Sequence, residues 1–234
     1  MKKIKQFFPL FLIVVTLLLT VHGMNQGGFR CSDESRHAMD GVFIMDILKD
    51  APHITDLYRY TEIYFAKYPA LAITWYPPFF AFVESIFFNI FGISEVIARL
   101  TVIFFALIAV IFLYLFLKKA FNEVVALLSC LLFITTPVVV FWARSVMLEL
   151  PIMALVILSC YFFYNYFFLS KSKHIYYLTI AITLALYTKQ TAAFLFPLFF
   201  SWILFQKQYK KLLKGTSKNS TKANKKQVDI VYNL

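Results

Sequence analysis

The chain has 234 residues, a net charge of +11, and 61% hydrophobic residues. Soluble domains average roughly 45–50% apolar residues, so this excess, arranged in long runs, excludes an ordinary soluble domain and predicts an all-α membrane protein. The basic charge does not point to nucleic acid: Lys207, Lys210, Lys211, Lys214, Lys218, Lys222, Lys225 and Lys226 crowd the last segment, where lysines hold a chain on the cytoplasmic side and attract anionic headgroups.

Predicted membrane spans are 6–22, 96–117, 123–142, 146–169, 175–190 and 191–206, about six in all, each judged against the roughly 20 residues that cross a ~30 Å core. The first follows Met1-Lys2-Lys3-Ile4-Lys5 and has no A-x-A-like cleavage site behind it, so it reads as an uncleaved helix. The last two are short and are expected to form a tight pair around Lys189-Gln190. Residues 23–95 form the first loop. Within it, 79–92 begins after Pro77-Pro78 and repeats Ala81, Ser85 and Asn89 at helical spacing. A segment of that length predicts an interfacial helix, with proline tolerated in its first turn. Trp75, Tyr76, Trp142 and the tyrosines 58, 60 and 64 read as interfacial aromatics. Residues 1–206 are the membrane region, and 207–234 read as a disordered cytoplasmic tail. Cys31 falls in a loop, Cys130 and Cys160 fall in apolar runs, and no metal spacing connects the three.

Charge tests this topology. With 79–92 on the surface, both termini, Lys118-Lys119, Lys171 and Lys173 are cytoplasmic, as the positive-inside rule demands. Asp33, Glu34, Arg144, Glu149 and Lys189 then share the external face, with Arg99 within a turn of it. A transporter would instead need ionisable residues deep in several spans. Gathered acids and cations at a membrane surface suit sugar transfer from a lipid phosphate. A carboxylate takes the acceptor's proton, and cations or a metal stabilise the departing phosphate. The bland alternatives are solvated acids, an Arg144 interfacial anchor paired with Glu149, a topology or packing role for Arg99, and a snorkelling Lys189. His37 follows Asp33 by four residues, a spacing that on a helix turns both one way and allows a shared metal.

The ordered pieces Asp33-Glu34, Tyr76-Pro77-Pro78-Phe79, Phe91-Gly92-Ile93-Ser94-Glu95, Ala98-Arg99-Leu100, Thr136-Pro137, Ala143-Arg144, Glu149-Leu150-Pro151 and Tyr187-Thr188-Lys189 carry a resemblance. Over roughly residues 1–205 the chain resembles the N-terminal half of the GT-C membrane glycosyltransferases, in particular the protein O-mannosyltransferase/aminoarabinose-transferase-like family. The resemblance implies an inverting enzyme that moves a sugar from a polyprenyl-phosphate donor to a protein, lipid or glycan acceptor on the non-cytoplasmic face of a bacterial or archaeal cell membrane. Asp33, with Glu34 beside it, would be the catalytic base or a metal ligand. Arg144, Lys189 and Arg99 would bind the donor phosphate, and Glu149 would be the second acidic site. A divalent metal is the implied cofactor, with Asp33, Glu149 and His37 as candidate ligands. Tyr76 departs from the Lys or His that relatives carry before the proline pair. Family members continue through further spans, so the chain reads as a fragment, a truncated frame or half of a split protein. The competing reading is a non-catalytic membrane subunit or remnant that binds lipid or a partner protein.

Overall fold

The computed structural model describes residues 7–216, with side chains through residue 206. It has ten α-helices and no strand among the described residues. Residues up to Ala192 form one compact unit, and a second begins at Ala193.

The first unit is built around helix α5 (Glu95–Ala120). Its 26 residues rise about 39 Å, enough to cross a bilayer core. Ser94 caps it, accepting from the Ile97 N–H, and Lys118 and Lys119 complement its C-terminal dipole. Ala98, Val102, Ala106 and Ala109 are fully buried along it. Small side chains at that spacing let neighbouring helices approach closely. Those neighbours are α1 (Phe8–Val21), α4 (Phe79–Phe91), α6 (Glu123–Thr135) and α8 (Glu149–Phe167), and α9 (His174–Leu186) packs on α8.

By length and composition, α5 and α8 are long and apolar enough to span a membrane. The expected 123–142 span exists but is broken: α6 and α7 (Pro137–Ala143) meet at 68°. Pro137 has no N–H to continue the helical ladder, and the Thr136 hydroxyl donates back to the Leu132 carbonyl at 2.6 Å. Helices α1 and α9 have 14 and 13 residues, or about 20 Å each, short of the hydrocarbon thickness. Each of the six predicted apolar runs nevertheless holds an α-helix among the described residues.

The 23–95 loop is the main departure. It contains α2 (Ser32–Asp50), a 3-10 turn at Ile54–Asp56, α3 (Leu57–Lys67) and α4. Asp33 and Glu34 lie in the first turn of α2, where acids complement the positive end of the helix dipole. Phe43, Tyr64 and Leu71 form a local core with Met39, Ile44, Ile47 and Tyr60 around it. Tyr60 and Tyr64, expected at the headgroups, therefore pack against α2 instead, and their hydroxyls donate to Asp50 and Asp46. Helix α4 appears where predicted, between Pro78 and Gly92. Gly92 ends it at φ +86°, a conformation side chains rarely adopt.

Helices α2 and α4 pack closely. Gly41 makes this possible, because a Cβ there would collide with the Glu84 carboxyl group. Glu84 is fully buried, and neither of its carboxyl oxygens has a hydrogen-bond partner. Asp40, also buried, accepts from the Ala72 N–H at 2.8 Å.

The second unit contains α10 (Leu195–Thr216). The tail expected to be disordered from 207 is helical as far as Thr216. Its remainder, like the N-terminal lysines, lies outside the described residues.

Candidate active site

The N-terminal ends of α2, α5 and α8 come together with the 22–30 loop and the 187–190 turn. Long-range hydrogen bonds hold them. Arg144 Nε donates to the Leu19 carbonyl at 2.7 Å, and Arg99 donates to the carbonyls of Met24 and Gly28 at 2.6 and 2.9 Å. The charges predicted to share a surface therefore do gather at one end of the helices, but they have different jobs.

Glu34 is fully buried. Its carboxylate accepts from the Arg30 N–H at 3.0 Å and the Val146 N–H at 2.9 Å. It staples the start of α2 to the loop before α8. Asp33, the next residue back, keeps a side chain 49% exposed, and its ion pair among the described residues is a loose 3.5 Å contact with Arg36. The helical period turns adjacent residues about 100° apart, so one acid faces the bundle and its neighbour faces outward.

Asp33 lines a cleft of about 300 Å³ with Arg36, His37, Ala72, Trp75 and Tyr76. His37 sits one turn after Asp33 and is buried, its ring 5.1 Å from that of Tyr76 in an edge-on arrangement. Burial pushes its pKa down to about 4. Asp33 and Glu149 pull it up, while Lys189 and Arg36 push it further down. His37 is thus a neutral imidazole at physiological pH, within electrostatic reach of both acids.

Lys189 donates to Glu149 Oε1 at 2.8 Å, with side chains 23% and 28% exposed. Glu149 Oε2 is buried with no hydrogen-bond partner. Arg99 is 4% exposed and is spent on loop carbonyls, with Glu95 at 3.7 Å. Arg144 lies in a different, smaller pocket with Arg30 and Arg99.

The candidate metal set is not assembled. Among the described residues, no three His, Cys, Asp or Glu side chains come together to hold a metal ion. A lysine ammonium already neutralises Glu149.

Arg36, Trp75 and the Asp40–Glu84 pair were not foreseen as part of this region. Reading 32–50 as a helix would have placed Asp33, Arg36 and His37 on one face, at i, i+3 and i+4.

An all-helical apolar chain whose ionisable groups meet at the ends of its helices, with a cleft at one of those ends, is a membrane protein with a polar site at the rim of its bundle. The family model for dolichyl-phosphate-mannose-protein mannosyltransferase matches residues 76–219, more than half of the chain, and the chain belongs to this family of membrane glycosyltransferases. No curated protein and no solved structure matches it. The matched region takes in Tyr76, Arg99, Arg144, Glu149 and Lys189, whereas Asp33 and His37 precede it.

Proposed function

We propose that the protein transfers a sugar of the mannose class from a polyprenyl-phosphate donor to an acceptor hydroxyl in the cleft lined by Asp33, Arg36, His37 and Tyr76. Asp33 is the base. Its exposed carboxylate takes the proton of the acceptor hydroxyl as that oxygen bonds to the anomeric carbon. The bond from that carbon to the phosphate oxygen breaks on the opposite side, and its electron pair leaves with the phosphate. The sugar is inverted. Arg36 and Lys189 supply the positive field that stabilises the departing phosphate. Neutral His37 with Tyr76 forms the wall on which the sugar rests, and Glu149 holds Lys189 within electrostatic reach of that wall. Arg99 and Arg144 position the loops around the cleft.

The family match over residues 76–219 is the observation that carries this reading. The cleft beside an exposed Asp33 supports the assignment of the base. The non-cytoplasmic face is supported by Lys118 and Lys119 at the far end of α5, in keeping with the positive-inside rule.

The test is transfer of radiolabelled mannose from polyprenyl-phosphate mannose into membrane acceptors, with wild type and Asp33→Asn. Loss of a general base lowers the rate by about 10²–10⁴-fold. Equal rates remove Asp33 from the mechanism. Transfer by neither protein, with the wild type folded, overturns the enzyme reading.

A further inference from the structure

The three arginines at the end of α1 form a second polar site. A small pocket is lined by Thr20, His22, Gly23, Met24, Arg30, Arg99 and Arg144. It shares no residue with the Asp33 cleft. Its accessible interior is about 10 Å³, room for a single oxygen atom.

Charge around it is unbalanced. Arg99 has Glu95 at 3.7 Å. Arg30 and Arg144 have no ion pair among the described residues. The Arg30 side chain is exposed. Arg144 uses Nε on the Leu19 carbonyl, leaving the two Nη groups of a planar fork that suits phosphate oxygens. Glu34 lies nearby but accepts from backbone N–H groups. Clustered guanidiniums repel one another, and an anion between them removes that cost.

The surroundings say what carries the anion. The pocket sits at the C-terminal end of α1, whose Leu10, Phe11, Val14, Leu18 and Val21 are exposed. An apolar helix face running up to a cationic pocket matches acyl chains beneath a headgroup. The geometry points to a binding site for the phosphate of an anionic membrane phospholipid, separate from the sugar-transfer cleft, with one phosphate oxygen in the pocket and the others on Arg30 and Arg144. A lipid seated there clamps α1, the 22–30 loop and the Arg144 segment together.

Native mass spectrometry of the full-length protein, released from detergent with phosphatidylglycerol or phosphatidylcholine, tests this. Phosphatidylglycerol should be retained preferentially. Arg30→Gln should weaken that retention about fivefold, the worth of one basic residue at an anionic surface. Arg30→Glu should weaken it further, and Arg36→Gln, in the other cleft, should leave it unchanged. Arg30 is exposed, so its variants test binding with the fold intact. Equal retention of the two lipids, or of phosphatidylglycerol by wild type and Arg30→Glu, overturns the proposal. Displacement by equimolar inorganic phosphate overturns the lipid as occupant. Preferential retention of polyprenyl phosphate with the same Arg30 dependence assigns the pocket to the donor and overturns a separate phospholipid site.

Discussion

At both ends of the α5–α8 pair charged side chains meet helix termini, but the two ends use them differently. At the far end, Lys119 donates to Tyr161 and Asn165 at 2.9 and 2.7 Å and lies over the Tyr161 ring, while Lys118 pairs with Glu123 at 2.7 Å. Those contacts lock helices that already pack along their length. At the Asp33 end the polar contacts join segments distant in sequence, such as Glu34 to Val146 and Arg144 to Leu19. They build loops into a wall and leave an exposed acid beside a cleft. A charge that closes an interface and a charge that faces a ligand can be adjacent residues. Sequence position alone does not separate them.

The largest effect expected at the Asp33 end is on stability. Glu34→Ala leaves the Arg30 and Val146 N–H groups without their acceptor and should cost about 4 kcal/mol, the range for breaking a buried charged contact. Asp33→Ala, half exposed, should stay within about 0.5 kcal/mol. Thermal unfolding in detergent separates the two. Similar losses for both variants would erase the division of labour between these acids.

Lys189→Met strips Glu149 of its partner beside an oxygen that already lacks one. The expected loss is about 2 kcal/mol. Glu149→Gln in the same chain should recover part of it, because the uncompensated charge is then gone. No recovery would mean that the pair is not coupled.

The α2–α4 seam gives this end its own pH dependence. Burial raises Asp40 to about 7, and raises Glu84 well above the usual carboxylate range, with Asp40 adding to it. A raised acid stays protonated in the fold while the unfolded chain ionises. Stability is therefore full below about pH 4 and falls as pH rises toward 7 and beyond, by about 1.4 kcal/mol per pH unit for each proton held. His37 acts in the opposite sense. Its folded pKa of about 4 makes stability rise with pH between about 4 and 6.5, offsetting one proton in that window. Glu84→Gln should flatten the decline above pH 6.5, and His37→Gln should steepen it below. Parallel pH profiles for wild type and Glu84→Gln would exclude an ionisable role for the seam.

How much of this was legible beforehand depends on the range of the interaction. Helices α5 and α8 follow from uninterrupted apolar runs, and α4 from Pro77-Pro78 and Gly92, all local signals. Helix α2 was missed because Ser32–Asp50 alternates charged and apolar residues without a long hydrophobic run. Its order comes from Tyr64 and Leu71 packing against Phe43. The break within 123–142 is a local signal too, since Pro137 in Thr136-Pro137 removes a backbone donor. The charged rim was foreseen as a place, through topology. The division within it was not. Nothing near Glu34 reveals that its acceptor duty is to a residue 112 positions away. Nor does the Arg99 entry to α5 reveal that its guanidinium is spent on Met24 and Gly28.

The smallest predicted effect is the control for the comparison. Lys119→Met keeps the aliphatic stem and removes the ammonium from Tyr161 and Asn165. Asn165 retains its bond to the Tyr161 carbonyl through Nδ2, so only one of its polar groups is left without a partner. The expected loss is about 1.5 kcal/mol, two net hydrogen bonds at the lower end of their usual worth. Sugar transfer should be unchanged within twofold, because Lys119 sits at the opposite end of α5 from Arg99 and the Asp33 cleft. A drop in transfer as large as that of Asp33→Asn, with stability intact, would mean that the far end belongs to the reaction. The distinction between a locking end and a working end would then fail.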